Sequence, residues 1–205
     1  MITMLDYASV TIFALTGALL ASRAQLDLIG FFFLACLTAV GGGTIRDLLL
    51  DRHPIFWLAD LTHLAIACMA ALIVFFTAHL LESRYKTLLW LDAAALSIAV
   101  SAGVSVATTM GQPGPVVLVM GVATGTLGGL MRDVVCNEMP LVLKQGELYV
   151  TAALAGAGAA LAAPFVTAQP LAPVLACIAT TFALRAGSIA FGWRLPGYKP
   201  RPPRQ

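Results

Sequence analysis

The chain has 205 residues and a net charge of +2, with 60% of its residues hydrophobic and 11% charged; its mean hydropathy is +0.90. A soluble domain keeps roughly a quarter of its residues charged to cover its surface, so a soluble globular protein is excluded and much of this surface must face lipid. Stretches of the about 20 apolar residues that cross a bilayer fill nearly the whole length, which leaves one all-α, polytopic membrane domain over residues 1–192.

Seven helices are predicted in chain order. The first covers about residues 6–22; it opens on MITMLD, without the basic start of a cleaved signal peptide, and ends in the polar turn SRAQLD. The second covers about 28–50 and is interrupted at Gly41, Gly42 and Gly43, after which DRHP turns the chain. The third runs over about 59–81 to ESRYK, and the fourth over about 88–109 to GQPGP. The fifth, about 116–136, is interrupted at Gly125, Gly128 and Gly129; the sixth covers about 147–163 and the seventh about 171–191. The tail, 193–205, is basic and proline-rich and is expected to be mobile.

Seven crossings alternate the connections between two sides. Arg23, Arg84, Lys86, Lys144, Arg194, Lys199, Arg201 and Arg204 fall on one side and Arg52 alone on the other. The positive-inside rule makes the first side cytoplasmic, with the N-terminus outside. The basic tail suits anionic lipid headgroups, and nothing points to nucleic acid. The four cysteines, Cys36, Cys68, Cys136 and Cys177, sit in apolar runs without a CxxC spacing and read as small buried hydrophobes. His53, His63 and His79 lack metal-ligand spacing, so no metal is expected, and no acid, base or nucleophile set suggests an enzyme.

A shift of 86 positions places Arg132-Asp133 on Arg46-Asp47 and Gly128-Gly129 on Gly42-Gly43. It also aligns Leu5-Asp6 with Leu91-Asp92, Gly17 with Gly103, Thr38 with Thr124 and Pro54 with Pro140. Each copy, about 5–81 and about 91–165, holds three helices, an odd number, so the second enters the membrane inverted; the helix over 171–191 is left over. Inverted repeats place transport sites at their interface, on discontinuous helices.

The chemistry concentrates in GGGTIRD (41–47) and GTLGGLMRD (125–133). Glycine costs a helix interior about 1 kcal/mol relative to alanine, so clusters of glycine predict two kinked helices with free backbone groups facing water; close packing through small residues is the alternative. Arg46, Asp47, Arg132 and Asp133 stand at or near membrane depth, where a charge costs about 2.5–3.5 kcal/mol even on the mild scale. Residues i and i+1 point about 100° apart on a helix, so the expected pairing crosses the repeats, Arg46 to Asp133 and Asp47 to Arg132. The alternative places these charges at the membrane surface, ending their helices. Asp6 and Asp92 read as helix N-caps. Arg185 stands alone in the seventh helix and is expected to snorkel to the cytoplasmic surface, with a place in the pore or at a subunit contact as the sharper reading. Lys144 and Glu147 lie in a loop leading into the sixth helix, Glu147 favourable at its N-terminus.

The paired motifs, with PLVLKQGELY leading into TAALAGAGAA after the second, resemble the trimeric intracellular cation (TRIC) channels, above all their bacterial and archaeal members. The likeness spans the chain except its tail. It implies a homotrimer embedded in membrane lipid, with a pore in each subunit between the two kinked helices, passing monovalent cations, chiefly potassium and with sodium as the second candidate, and needing no cofactor. Carried over residue by residue, the kinks are Gly41, Gly42, Gly43, Gly128 and Gly129, and the pore-side charges are Arg46, Asp47, Arg132 and Asp133. Animal members bind an inositol phospholipid through basic residues near the second motif; Asn137 and Glu138 stand there in this chain, so that ligand is not carried over. The same bacterial domain is also labelled a glycine transporter. On physical grounds alone, a secondary transporter of a small solute fits inverted repeats and broken helices equally well.

Overall fold

A computed structural model of the protein describes residues 1–81 and 83–196. Its regular elements are helices: α1 (Ile2–Arg23), α2 (Leu28–Leu49), α3 (Phe56–Ala59), α4 (Thr62–Thr77), α5 (Arg84–Thr109), α6 (Gly114–Val135), α7 (Val150–Ala162) and α8 (Ala172–Phe191). Short 3-10 turns extend α4 over Ala78–Leu80 and α7 over Ala163–Phe165.

The helix ends follow from local chemistry, and they repeat. Residues 25 and 111 follow the ends of α1 and α5 in the left-handed region (φ 55° for Gln25, 69° for Gly111). The next amide in each case reaches back to a helix carbonyl, Leu26 to Ala21 and Gln112 to Ala107, both at 3.1 Å. Asp51 and Asn137 end α2 and α6 in the same way (φ 52° and 53°), residue types whose short polar side chains tolerate that conformation. Asp27 caps α2 by accepting a bond from the Gly30 amide at 2.8 Å.

α1 and α5 form the centre and are more than half buried, whereas only about a third of α4 and α8 is. α1 packs against α2, α4 and α5, while α5 packs against α6, α7 and α8; α2 and α6 close the contact between the two halves. Within each half, one glycine brings two helices together. Gly17 lies against the Leu34 carbonyl and Thr38, and Gly103 against the Met120 carbonyl and Thr124. Such small residues are the usual means of close approach between helices in lipid, where apolar burial supplies little drive.

Among the described residues, six helices are long and apolar enough to cross a membrane: α1, α2, α4 with its extension, α5, α6 and α8. The predicted sixth helix is shorter, Val150–Phe165. It starts after residue 147 because Gly146 turns with φ 82° and Glu147 is drawn to Arg185. Its ends nevertheless sit at opposite ends of the bundle. Gly146 accepts a bond from Leu195 near one end, and Leu161 and Pro164 share a cavity with Met1 and Thr109 at the other. The predicted third helix also starts late: the chain first makes α3, then breaks at Asp60, which accepts a bond from the Thr62 amide.

Basic residues gather at one end. Arg23 pairs with Glu138 at 3.1 Å and lies 4.8 Å over the Tyr85 ring, which Lys144 also approaches. Arg84 donates to the Ser22 and Ala78 carbonyls. The start of the expected mobile tail is held here too. Ser188 donates to the Trp193 carbonyl at 3.1 Å, the Trp193 ring covers Gly187, and the Leu195 amide bonds Gly146 at 2.8 Å. Residues 197–205, with Lys199, Arg201 and Arg204, lie outside the described residues.

Candidate functional site

The two motif-bearing helices cross at their glycines, and both run through them without interruption. The expected breaks are therefore corrected: the glycines serve contact. A methyl group at Gly42 would overlap the Thr124 carbonyl oxygen, and one at Gly128 would lie 2.5 Å from the Thr38 carbonyl oxygen. Each helix thus inserts a backbone carbonyl against a glycine of the other, under the pseudo-symmetry of the repeat. The remaining glycines accommodate different neighbours. Gly41 faces Met131, Gly43 the Phe56 ring, Gly125 the side chains of Val100 and Leu96, and Gly129 the Tyr149 hydroxyl.

Beside the crossing lies a small cavity of about 10 Å³, lined by Asp6, Ser9, Thr38, Gly42, Gly43 and Thr124 among others. Space of that size admits about one water. The hydroxyls of Thr38 and Thr124 are occupied by their own helices, donating to the Leu34 and Met120 carbonyls at 2.6 Å. Asp6 is the carboxylate that faces the cavity.

The charges form two matching clusters. Arg46 Nε donates to Asp47 Oδ1 at 2.8 Å and its Nη1 to Asp6 Oδ1 at 3.0 Å. Arg132 Nε donates to Asp133 Oδ1 at 2.8 Å and its Nη1 to Asp92 Oδ1 at 3.0 Å. The second oxygen of each motif aspartate ties down the following loop: Asp47 accepts from the Phe56 amide and Asp133 from the Leu141 amide, both at 2.9 Å. The cross-repeat pairing expected from the helical wheel is thereby corrected. A guanidinium carries its Nε close to the backbone and its two Nη groups further out, so it folds onto the next carboxylate and still reaches another helix. All six groups are buried, Arg46, Asp47, Arg132 and Asp92 completely, and the two arginines stand in the last turns of α2 and α6 with protein around them. Asp6 and Asp92 are not N-caps; they lie inside α1 and α5 as the outer partners of the arginines.

The clusters differ at their edges. Arg46 lies 5.3 Å from the Phe56 ring, and Arg52 adds a bond to Asp47 at 3.3 Å. Arg132 instead donates to Thr16 of α1 at 2.8 Å, a contact between the halves. Near the first cluster, hydrogen bonds from Thr62 and Tyr7 hold the Asp60 carboxyl down at about 2. Next to the second, Arg185 is fully buried, against the snorkelling expected of it. Its Nη1 is 2.9 Å from Glu147 Oε2, and its guanidinium rests 4.8 Å from the centre of the Tyr149 ring. Glu147 is thus a partner for Arg185 and lies outside α7, while Lys144 binds the Tyr85 hydroxyl at the basic end. Asp6 and Asp92 were visible as aligned residues, and their equal separation of 40 from the arginines was the signal that could have identified them as partners.

A family model described as "Glycine transporter" matches residues 3–79 and again 89–164, two copies whose starts differ by the shift that superposes the motifs. The UPF0126 inner membrane protein YadS of Escherichia coli K12 is 35% identical over 200 residues, covering 95% of this chain and 94% of that protein. A UPF0126 membrane protein of Deinococcus radiodurans is 42% identical over 157 residues, covering 76% and 73%. Among solved structures, the TRIC trimeric intracellular cation channel orthologue from Rhodobacter sphaeroides is similar with a TM-score of 0.89 and 41% identity, over 93% of this chain and 98% of that one. A structure described for conductance through TRIC cation channels is similar with a TM-score of 0.85 and 30% identity, over 98% of each chain.

Proposed function

The chain belongs to the TRIC cation channel family, and on that premise we propose that it conducts monovalent cations, chiefly potassium, through one pore in each subunit of a homotrimer in the bacterial inner membrane. The observation that carries this reading is the α2–α6 crossing, packed glycine to carbonyl beside a small polar cavity. It lies between two buried clusters, Asp92 and Asp133 against Arg132 in one, and Asp6 and Asp47 against Arg46 in the other, with the partly exposed Arg52 reaching Asp47 from its edge. The excess of negative charge in the second cluster, in a low-dielectric interior, favours a passing cation and disfavours an anion. The carboxylate in a position to replace an ion's hydration is Asp6, in place of the Asp47 and Asp133 expected from sequence, both of which are spent on arginine and loop amides. The arginines keep either cluster from becoming a deep well, which conduction requires. The cavity at the crossing has room for about one water, so passage of an ion there requires α2 and α6 to slide or part. The gathering of basic residues at one end supports, under the positive-inside rule, a seven-span reading with that end in the cytoplasm and the N-terminus outside.

The description of the matching family model favours a second reading, a secondary transporter of a small solute such as glycine, which the same repeat architecture would serve. Electrical recording of the purified protein in planar bilayers under a potassium gradient separates the two. Discrete current steps reversing near the potassium potential are expected, and sodium substitution then gives the selectivity. Silent bilayers together with saturable uptake of labelled glycine into liposomes would establish the transporter instead.

A further inference from the structure

A second cavity, of about 220 Å³, opens among α1, α5, α7 and α8 at the end of the bundle that holds Met1. Its α5 wall is the stripe Ser101, Val104, Ser105 and Thr108, spaced i, i+3, i+4, i+7 and so on one helix face. Thr108 and Pro164 are exposed at its rim, while Ser101, Val104, Ala160 and Val174 are buried at its floor. Its lining carries no charged side chain.

The internal repeat shows how the hollow arises. The positions matching Ser101 and Ser105 in the first half are Leu15 and Leu19, and Leu19 is buried in the core there. Where the first copy has two leucines the second has two serines, and the volume leucines would fill is left as space. The exchange also places a polar atom at the floor: Ser101 Oγ is buried and has no hydrogen-bond partner among the described residues. A buried hydroxyl without a partner is costly, and a ligand atom at the floor would satisfy it.

We propose that this cavity binds a small uncharged amphiphile, an aliphatic or aryl alcohol, whose oxygen bonds Ser101 and whose hydrocarbon fills the remainder. An apolar cavity of about 150 Å³ in another protein takes up benzene, so this one holds a molecule somewhat larger than that. A phospholipid chain fits less well, because its headgroup would stay at the rim and its methyl end would meet the hydroxyl. The site lies on a face of α5 remote from Ala99, which lines the polar cavity at the α2–α6 crossing; it is separate from the proposed pore.

The test is photolabelling of the full-length protein in liposomes with a diazirine derivative of 1-octanol, mapped by mass spectrometry, with 1-hexanol and hexane as competitors. Adducts are expected on residues 101–109 and 160–164, reduced by hexanol and abolished in the Ser101→Leu/Ser105→Leu variant, which restores the residues of the first half. Ser101→Ala keeps the volume and conserves the fold; it is expected to weaken competition by hexanol about fivefold while leaving hexane unchanged. Label spread over lipid-facing residues such as Phe33 and Ile73, or hexane competing as well as hexanol in the unmodified protein, would overturn the proposal. Because the readout is covalent label and not current, the result is independent of whether the protein is a channel.

Discussion

Arg46 and Arg132 are fully buried cations, each stabilised by two carboxylates on two helices. Removing one partner of a buried pair leaves an uncompensated charge and costs about 3–5 kcal/mol. Asp92→Asn should therefore lower the unfolding free energy by about that amount, measured by denaturant titration in detergent. Arg23→Gln, which breaks the partly exposed pair with Glu138, should cost no more than about 1 kcal/mol. A double-mutant cycle between Asp6 and Arg46 should show strong coupling, whereas Arg46 and Asp133, which share no bond, should be additive within about 0.5 kcal/mol; strong coupling in the second cycle would restore the cross-repeat pairing. If Asp6 is the carboxylate beside the ion path, Asp6→Asn should cut single-channel potassium conductance, while Asp51→Asn, at an exposed site, leaves it unchanged. The aligned aspartates and arginines were legible in the sequence, because the repeat prints each of them twice. Their partners were not, since a helical wheel gives the direction of a Cβ and says nothing of where a long side chain ends.

Glycine in a helix carries two opposite meanings, and only its neighbour across the interface decides between them. At Gly42 that neighbour is a backbone carbonyl, which cannot rotate away. Gly42→Ala gains helix propensity of about 1 kcal/mol but forces α2 from α6, and overpacking of this kind costs about 1–3 kcal/mol. A net loss in melting temperature is expected. Gly158 in α7 has open space around its missing side chain, so Gly158→Ala should keep the propensity gain and raise the melting temperature. If Gly42→Ala proved as harmless as Gly158→Ala, the close crossing of α2 and α6 would be refuted. This is also why the glycine clusters were readable as important and yet misread as breaks: composition reveals the intrinsic cost, and the compensating contact lies some 80 residues away in sequence. The paired helix ends at Asp51 and Asn137 were equally hidden, because two different residue types perform the same left-handed turn.

For the whole molecule, the length of α7 has to be reconciled with a topology in which it is the sixth of seven spans. At 1.5 Å per residue, Val150–Phe165 reaches about 24 Å, short of the roughly 30 Å hydrocarbon core. A bilayer meets such mismatch by local thinning, or the protein meets it with buried flanking chain. Here the flank is Gly146–Tyr149, whose Gly146 carbonyl is bonded by the Leu195 amide and whose Glu147 pairs with Arg185, so the chain that extends the reach of α7 has partners within the protein, as lipid would require. Single cysteines, introduced after replacing the four native ones, test this directly. With a membrane-impermeant maleimide on intact cells, Asp51→Cys and Gln169→Cys should label, whereas Lys86→Cys and Gln145→Cys should label only after permeabilisation. The comparison of Gln145 with Gln169 decides the matter, because α7 alone separates them. Labelling of both from the same side would make α7 a re-entrant segment, reduce the spans to six, and place the N- and C-termini on one side of the membrane. Labelling from opposite sides would make α7 a full span and fix an odd number of crossings; the inversion of the second repeat, which sets Asp6–Arg46 and Asp92–Arg132 on opposite sides of the α2–α6 crossing, follows instead from α1, α2 and α4 and is tested by Asp51 against Lys86.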